Sequence, residues 1–150
     1  AIPGRRIGTH LRGLIAFIEQ HKNIKVGSLY YGQGAPVDAQ PIMKQDYDIA
    51  SLDKPDSYGN KYITADRLYH AVAYVLSQET AKQLTELMHS RDYPEYSSTD
   101  FTIQQTLPKE QRYFAYCIPS PIQHNDDLDS TFPHVGIRPT VPRVAYEFEK

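Results

Sequence analysis

Three short stretches of this sequence carry residue types that could do chemistry. Asp46-Tyr47-Asp48 sets two carboxylates one residue apart, the spacing with which an Asp-x-Asp pair bridges a divalent ion that holds a nucleotide diphosphate. No hydrophobic strand precedes the pair to fix both carboxylates at a sheet edge. In a chain with 18 acids a solvated loop is the alternative. Ile122-Gln123-His124-Asn125-Asp126-Asp127-Leu128-Asp129-Ser130 gathers three acids and a histidine that could bind a cation. Neighbouring side chains seldom converge, so a solvated loop stands beside that reading too. The third is Asp100. Ser98 or Thr99 caps a short helix from Asp100 to Leu107, which Pro108 ends. Asp100 then sits in the first turn, where the helix dipole favours a carboxylate. Spacing alone reads it as an ordinary N-terminal helix acid, although it lies where α/β folds commonly build sites.

Several chemistries have no motif here. There is no Gly-x-Ser-x-Gly elbow, no Walker loop and no His-Glu-x-x-His. Gly32-Gln33-Gly34 is too short for a dinucleotide fingerprint, no helix follows it, and it reads as a strand-end loop. Cys117 is the single cysteine, which excludes an internal disulfide and a cysteine-rich metal site. It falls inside an apolar run and reads as a small core residue. The formal net charge of -2 supplies no basic field for nucleic acid or an anionic membrane. No apolar stretch approaches the roughly 20 residues of a bilayer span, and no leader is evident. The cysteine usage suits a reducing, cytoplasmic compartment. Twelve tyrosines without tryptophan suit a sugar or peptide surface, but half-buried sheet tyrosines are the favoured alternative.

The elements that must position these residues follow from periodicity. The 150 residues suffice for one α/β domain. Residues 69–88 read as its organising unit: a strand from Tyr69 to Leu76 buried on both faces, Ser77 as a cap, then a helix from Gln78 with Ala81, Leu84, Leu87 and Met88 on one face. Before it, Thr9 caps a helix with Leu11, Leu14, Ile15, Phe17 and Ile18 inward, and Ile24 to Tyr31 is a strand. Residues 33–68 are the least regular part, with Pro36, Pro41 and Pro55. Tyr113 to Ile118 is a further strand, and Val144 to Phe148 a terminal one. The start at Ala1 in place of methionine fits processing or a chain cut from something longer.

Ala71-Val72-Ala73-Tyr74-Val75-Leu76-Ser77-Gln78-Glu79-Thr80-Ala81-Lys82-Gln83-Leu84 resembles the x-Ala-Tyr-x-Ile/Leu-Ser-x-x-x-Ala-x-x-Leu segment of glycosyltransferase family 25, the lipooligosaccharide and collagen galactosyltransferases. The order around it is similar over about residues 10–132: a helix and strand before, an aspartate like Asp100 after, then Pro121-Ile122-Gln123 and Asp129-Ser130. The resemblance implies a mixed sheet flanked by helices, like the C-terminal half of a GT-A fold. It implies Asp100 as general base, with Tyr74, Gln123, His124 and Ser130 as substrate contacts. It also implies a divalent cation, manganese or magnesium, and as partners a UDP-sugar and a glycan or other hydroxyl acceptor.

The family's Glu-Asp-Asp segment, which holds metal and UDP-sugar, has no equivalent here. The chain therefore resembles the acceptor-side half, with the donor site in another chain or domain. The expected function is transfer of a hexose from a UDP-sugar to a hydroxyl. A non-catalytic binding or assembly module with a degenerate transferase fold is the alternative. A metal-dependent hydrolase built on residues 123–130 is a third reading.

Overall fold

The computed structural model describes residues 1–32, 47–48, 55–65, 67–68, 72–90, 99–123, 145 and 148. In chain order the elements are β1 (Ile2–Pro3), α1 (Ile7–Gln20), β2 (Ile24–Ser28), β3 (Tyr47–Asp48), β4 (Lys61–Ala65), β5 (Tyr74–Leu76), α2 (Gln78–His89), α3 (Thr99–Thr106), a 3₁₀ turn (Lys109–Gln111), β6 (Tyr113–Ile118) and β7 (Ile122–Gln123). Five strands form a mixed sheet in the order β3-β4-β6-β2-β5, with β2 and β6 parallel and the other neighbours antiparallel. A two-stranded ribbon pairs β1 with β7.

The organising strand is β6, not the Tyr69–Leu76 run. Phe114, Ala115, Tyr116 and Cys117 are all buried, because β6 lies between β4 and β2 with side chains packed on both faces. β5 is a sheet edge of three residues, and Tyr74 remains 37% exposed. An apolar run signals burial potential, but strand order is decided by long-range pairing that local periodicity does not contain.

Alternation along the strands sorts the core into two layers. On one face Leu14 and Phe17 of α1 pack with Ile24, Leu29, Tyr62, Ala115, Cys117 and Ile122. On the other, Leu84 of α2 and Ile103 of α3, with Leu107 just beyond it, pack with Val26, Ala65, Leu68, Phe114 and Tyr116. Ile24 and Val26 would share a face in a regular strand. Here the register shifts between them, from Ile24 opposite Tyr113 to Val26 opposite Phe114, so Lys25 is the extra residue of a bulge. That bulge sends Ile24 to one layer and Val26 to the other.

The helices depart from their expected faces for the same kind of reason. α1 begins at Ile7, two residues before Thr9, and it buries His10 and Gly13 beside Leu14 and Phe17 while Ile15 faces outward. At its C-terminal end the His21 ring donates from Nδ1 to the Phe17 carbonyl at 2.7 Å. α2 starts as expected: Ser77 Oγ accepts from Thr80 N at 3.1 Å. Its buried stripe is Thr80 and Leu84, whereas Ala81 and Met88 are exposed. β4 went unread within the irregular 33–68 stretch, although it is the strand that carries β3 and borders β6. Ala145 makes an isolated bridge to Gly32, and the rest of the expected 144–148 strand, Phe148 apart, lies outside the described residues. Among the described residues no helix is long and apolar enough to cross a membrane.

Candidate functional site

β2 and β6 run parallel and finish side by side, and in α/β sheets that end is where ligand sites are built. Here it is stitched by side-chain hydroxyls. Ser120 Oγ accepts from Tyr31 N at 3.1 Å and shares its proton between the carbonyls of Leu29 (3.1 Å) and Ile122 (3.0 Å). Ser28 Oγ donates to Tyr30 O at 2.9 Å and accepts from Tyr30 N. Both serines are buried with their hydroxyls committed to backbone, which makes them scaffold rather than nucleophiles.

α3 is tied to this scaffold along its length. Arg112 donates from Nε to Leu107 O (2.8 Å) and from Nη2 to Gln105 O (3.2 Å), holding the helix C-terminal end at the start of β6. Further back, Gln104 Oε1 accepts from Leu68 N at 3.1 Å. The adjacent Arg67 carbonyl accepts from the Tyr116 hydroxyl at 2.8 Å, further along β6. The first turn of the helix carries the half-buried Asp100. Asp100 and Gln104 are four residues apart and share a helix face.

The other expected site residues fall in different places. Tyr74 opens β5 opposite Ser28, which itself pairs with Tyr116, so the three sit in one row on the α2–α3 face of the sheet. Gln123 lies in β7, and its side-chain oxygen accepts from Ala145 N at 2.7 Å, holding that residue near Gly32. At least that oxygen serves the fold. Asp48 lies in β3 with its backbone opposite Thr64, so part of the Asp-x-Asp stretch is strand rather than loop. Asp46, His124 and Ser130, and the side chain of Asp48, lie outside the described residues. Among the described residues no three His, Cys, Asp or Glu side chains gather that could hold a metal ion.

A second polar cluster, on the opposite face, escaped sequence reasoning. Asp56 Oδ1 accepts from the backbone N–H groups of Tyr58 and Asn60, both at 2.9 Å, making a tight turn in which Gly59 takes φ +80°. Tyr62 donates to Asp56 Oδ2 at 2.6 Å. The Asn60 amide donates to Tyr62 Oη (2.9 Å) and to the His10 carbonyl (3.0 Å). Both amide protons are then used, so Asn60 Oδ1 must accept and His10 Nδ1 must carry the proton that bonds to it. Among the described residues His10 Nε2 is a buried ring nitrogen without a hydrogen-bond partner. Phe17 stacks on the Tyr62 ring at 4.1 Å, and Gly13 sits directly over Asn60 and Tyr62. His10, Asn60 and Tyr62 are almost wholly buried. This network seats α1 on the sheet. Its partners lie about 50 residues apart, and only the aspartate–glycine turn at 56–60 had a local signal.

Cys117 pairs with Tyr62 across β4 and β6. Burial, and then the Asp56 carboxylate, push its thiol up to about 12. It is therefore a neutral core group at ordinary pH, as its place in the strand implied.

Compared with protein-family models, curated proteins and solved structures, the chain matches none.

Proposed function

We propose that this chain is the acceptor-side part of a glycosyltransferase resembling family 25, transferring a hexose from a UDP-sugar to an acceptor hydroxyl with Asp100 as general base. Asp100 itself carries the reading: a half-buried carboxylate in the first turn of α3. It lies downstream of the strand, capping serine and helix formed by Tyr74–Leu76, Ser77 and Gln78–His89, the segment on which the resemblance rests.

In this reaction the acceptor oxygen attacks the anomeric carbon as its proton passes to the Asp100 carboxylate, and the nucleoside diphosphate departs with the bonding electrons of the broken C–O bond. A carboxylate so placed typically contributes a factor of 10²–10⁴. A divalent cation, when bound with the donor, neutralises the leaving diphosphate. Tyr74, partly exposed on the edge strand β5, offers an aromatic face to the acceptor.

The test is Asp100→Asn in the full protein, assayed for UDP release from UDP-galactose with manganese, together with calorimetric titration of UDP. The reading expects turnover to fall about 100-fold or more with UDP affinity unchanged. Unchanged turnover removes Asp100 from the chemistry. If wild-type protein neither turns over UDP-galactose nor binds UDP, the chain is instead a binding or assembly module.

A further inference from the structure

We propose that β5 is a dimerisation strand, pairing antiparallel with β5 of a second copy of this chain so that the two sheets become one. Sequence and position disagree in this strand. Residues 71–76, Ala-Val-Ala-Tyr-Val-Leu, hold no charge and no proline, the composition of a strand with neighbours on both sides. The fold gives it one neighbour. β5 ends the order β3-β4-β6-β2-β5, and among the described residues nothing pairs with its outer side. Edge strands are ordinarily protected by a charge, a proline, a bulge or shortness, and of these β5 has only its shortness.

Its backbone is set for such a pairing. Leu29 N donates to Ala73 O at 3.0 Å, in the same register that pairs Gly27 with Val75 and Ser28 with Tyr74. Bonded and non-bonded residues alternate along an antiparallel ladder. Ala73 and Val75 therefore turn their N–H and C=O groups to β2, and Tyr74 and Leu76 turn theirs to the open edge. A second β5 placed about a two-fold axis at Val75 sets Tyr74 opposite the partner's Leu76, and Leu76 opposite the partner's Tyr74. Each outward N–H then meets an outward C=O, so a second copy has the matching donor and acceptor spacing by symmetry. No like charges oppose one another across the axis, because the segment carries none. The side chains agree. Tyr74, 37% exposed, gains the partner's Leu76 beside it as an aromatic–aliphatic cross-strand pair, and Val75 meets the partner's Val75 on the α1 face. Cross-strand neighbours meet side by side, so the pairing is compatible with a ligand over the Tyr74 ring.

The experiment is sedimentation equilibrium of the full protein over about a hundredfold range of concentration, with amide exchange followed at residues 73–76 at both ends of the range. So short a pairing gives a weak, reversible dimer. Wild-type protein is expected to pass from monomer to dimer across the range. The Tyr74 and Leu76 amides should be protected only at the upper end, and the Val75 amide throughout. Tyr74→Pro removes an outward N–H that the pairing with β2 does not use, and each dimer loses one bond per copy, so association should weaken about tenfold or more. Val75→Lys opposes two cations at the axis and should leave only monomer. Circular dichroism at the lower concentration checks that the variants fold, and the wild-type exchange pattern decides even if one does not. Wild-type monomer throughout the range overturns the proposal. So does a dimer in which Tyr74 and Leu76 exchange as fast as in the monomer, since its contact lies elsewhere. Protection of those two amides at every concentration also overturns it, by assigning the edge to another part of the protein.

Discussion

Tyr62 and Cys117 face each other across β4 and β6, both buried beneath α1, with the Asp56 carboxylate bonded to the tyrosine hydroxyl. Burial first, and the carboxylate second, raise both groups above their ordinary values, the thiol to about 12. The folded state thus holds protons that the unfolded chain gives up. Stability is complete below the unfolded thiol value and is lost as pH rises from about 9 toward 12, by on the order of 1 kcal/mol per pH unit. Urea unfolding at pH 7, 9 and 10.5 should show this loss, and Cys117→Ala should flatten the decline. An equally steep decline in that variant would assign the alkaline limb to other groups.

The same burial makes the thiol unreactive. Cys117 should label with a thiol reagent at pH 8 only at the rate at which the protein opens, and fully in denaturant. Stoichiometric labelling of the native protein within seconds would contradict its place in the core.

Asn60 holds three partners inside the protein, and truncation to alanine leaves His10 Nδ1 and the His10 carbonyl without theirs. Buried groups orphaned in this way typically cost about 1–3 kcal/mol each. Asn60→Ala should therefore destabilise by roughly 3 kcal/mol or more in chemical denaturation. Tyr62→Phe keeps the stacked ring and should cost less.

Two glycines of α1 should answer in opposite directions to the same change. A methyl group at Gly8 meets nothing nearby, so Gly8→Ala should stabilise by about 0.5–1 kcal/mol through helix propensity. At Gly13 the same group would strike Asn60, Tyr62 and Tyr58, and α1 would have to lift from the sheet. Gly13→Ala should cost about 1–3 kcal/mol or more. Thermal melts of the two variants, read against wild type, check both signs.

Ser77 caps α2 through Thr80 N, and Ser77→Ala should cost about 1 kcal/mol while Ser77→Asp restores the acceptor. Loss of turnover in Ser77→Ala beyond that small destabilisation would indicate that the serine of the resembling segment does more than cap.

Much of this protein is local and therefore legible in its sequence. The 3.6-residue spacing of α1 and α2, the Ser77 cap, the short helix carrying Asp100 and the apolar Tyr113–Ile118 strand follow from side chains within a turn or two of one another. So does the inertness of Cys117, which sits in a run too apolar to face water. Tertiary structure alone decided which strand is central. Tyr69–Leu76 and Tyr113–Ile118 look alike as apolar runs, and only the pairing of β6 with both β4 and β2 makes the second the core and leaves Tyr74 at an edge. It alone turned His10 and Gly13 inward, because the Asn60 and Tyr62 that receive them come from a distant turn and strand. The tie between Gln104 and Leu68 is of the same kind. Hydrogen bonds and packing across tens of residues leave no period in the chain, so the network that seats α1 and the tie between Gln104 and Leu68 exist only once the sheet has formed.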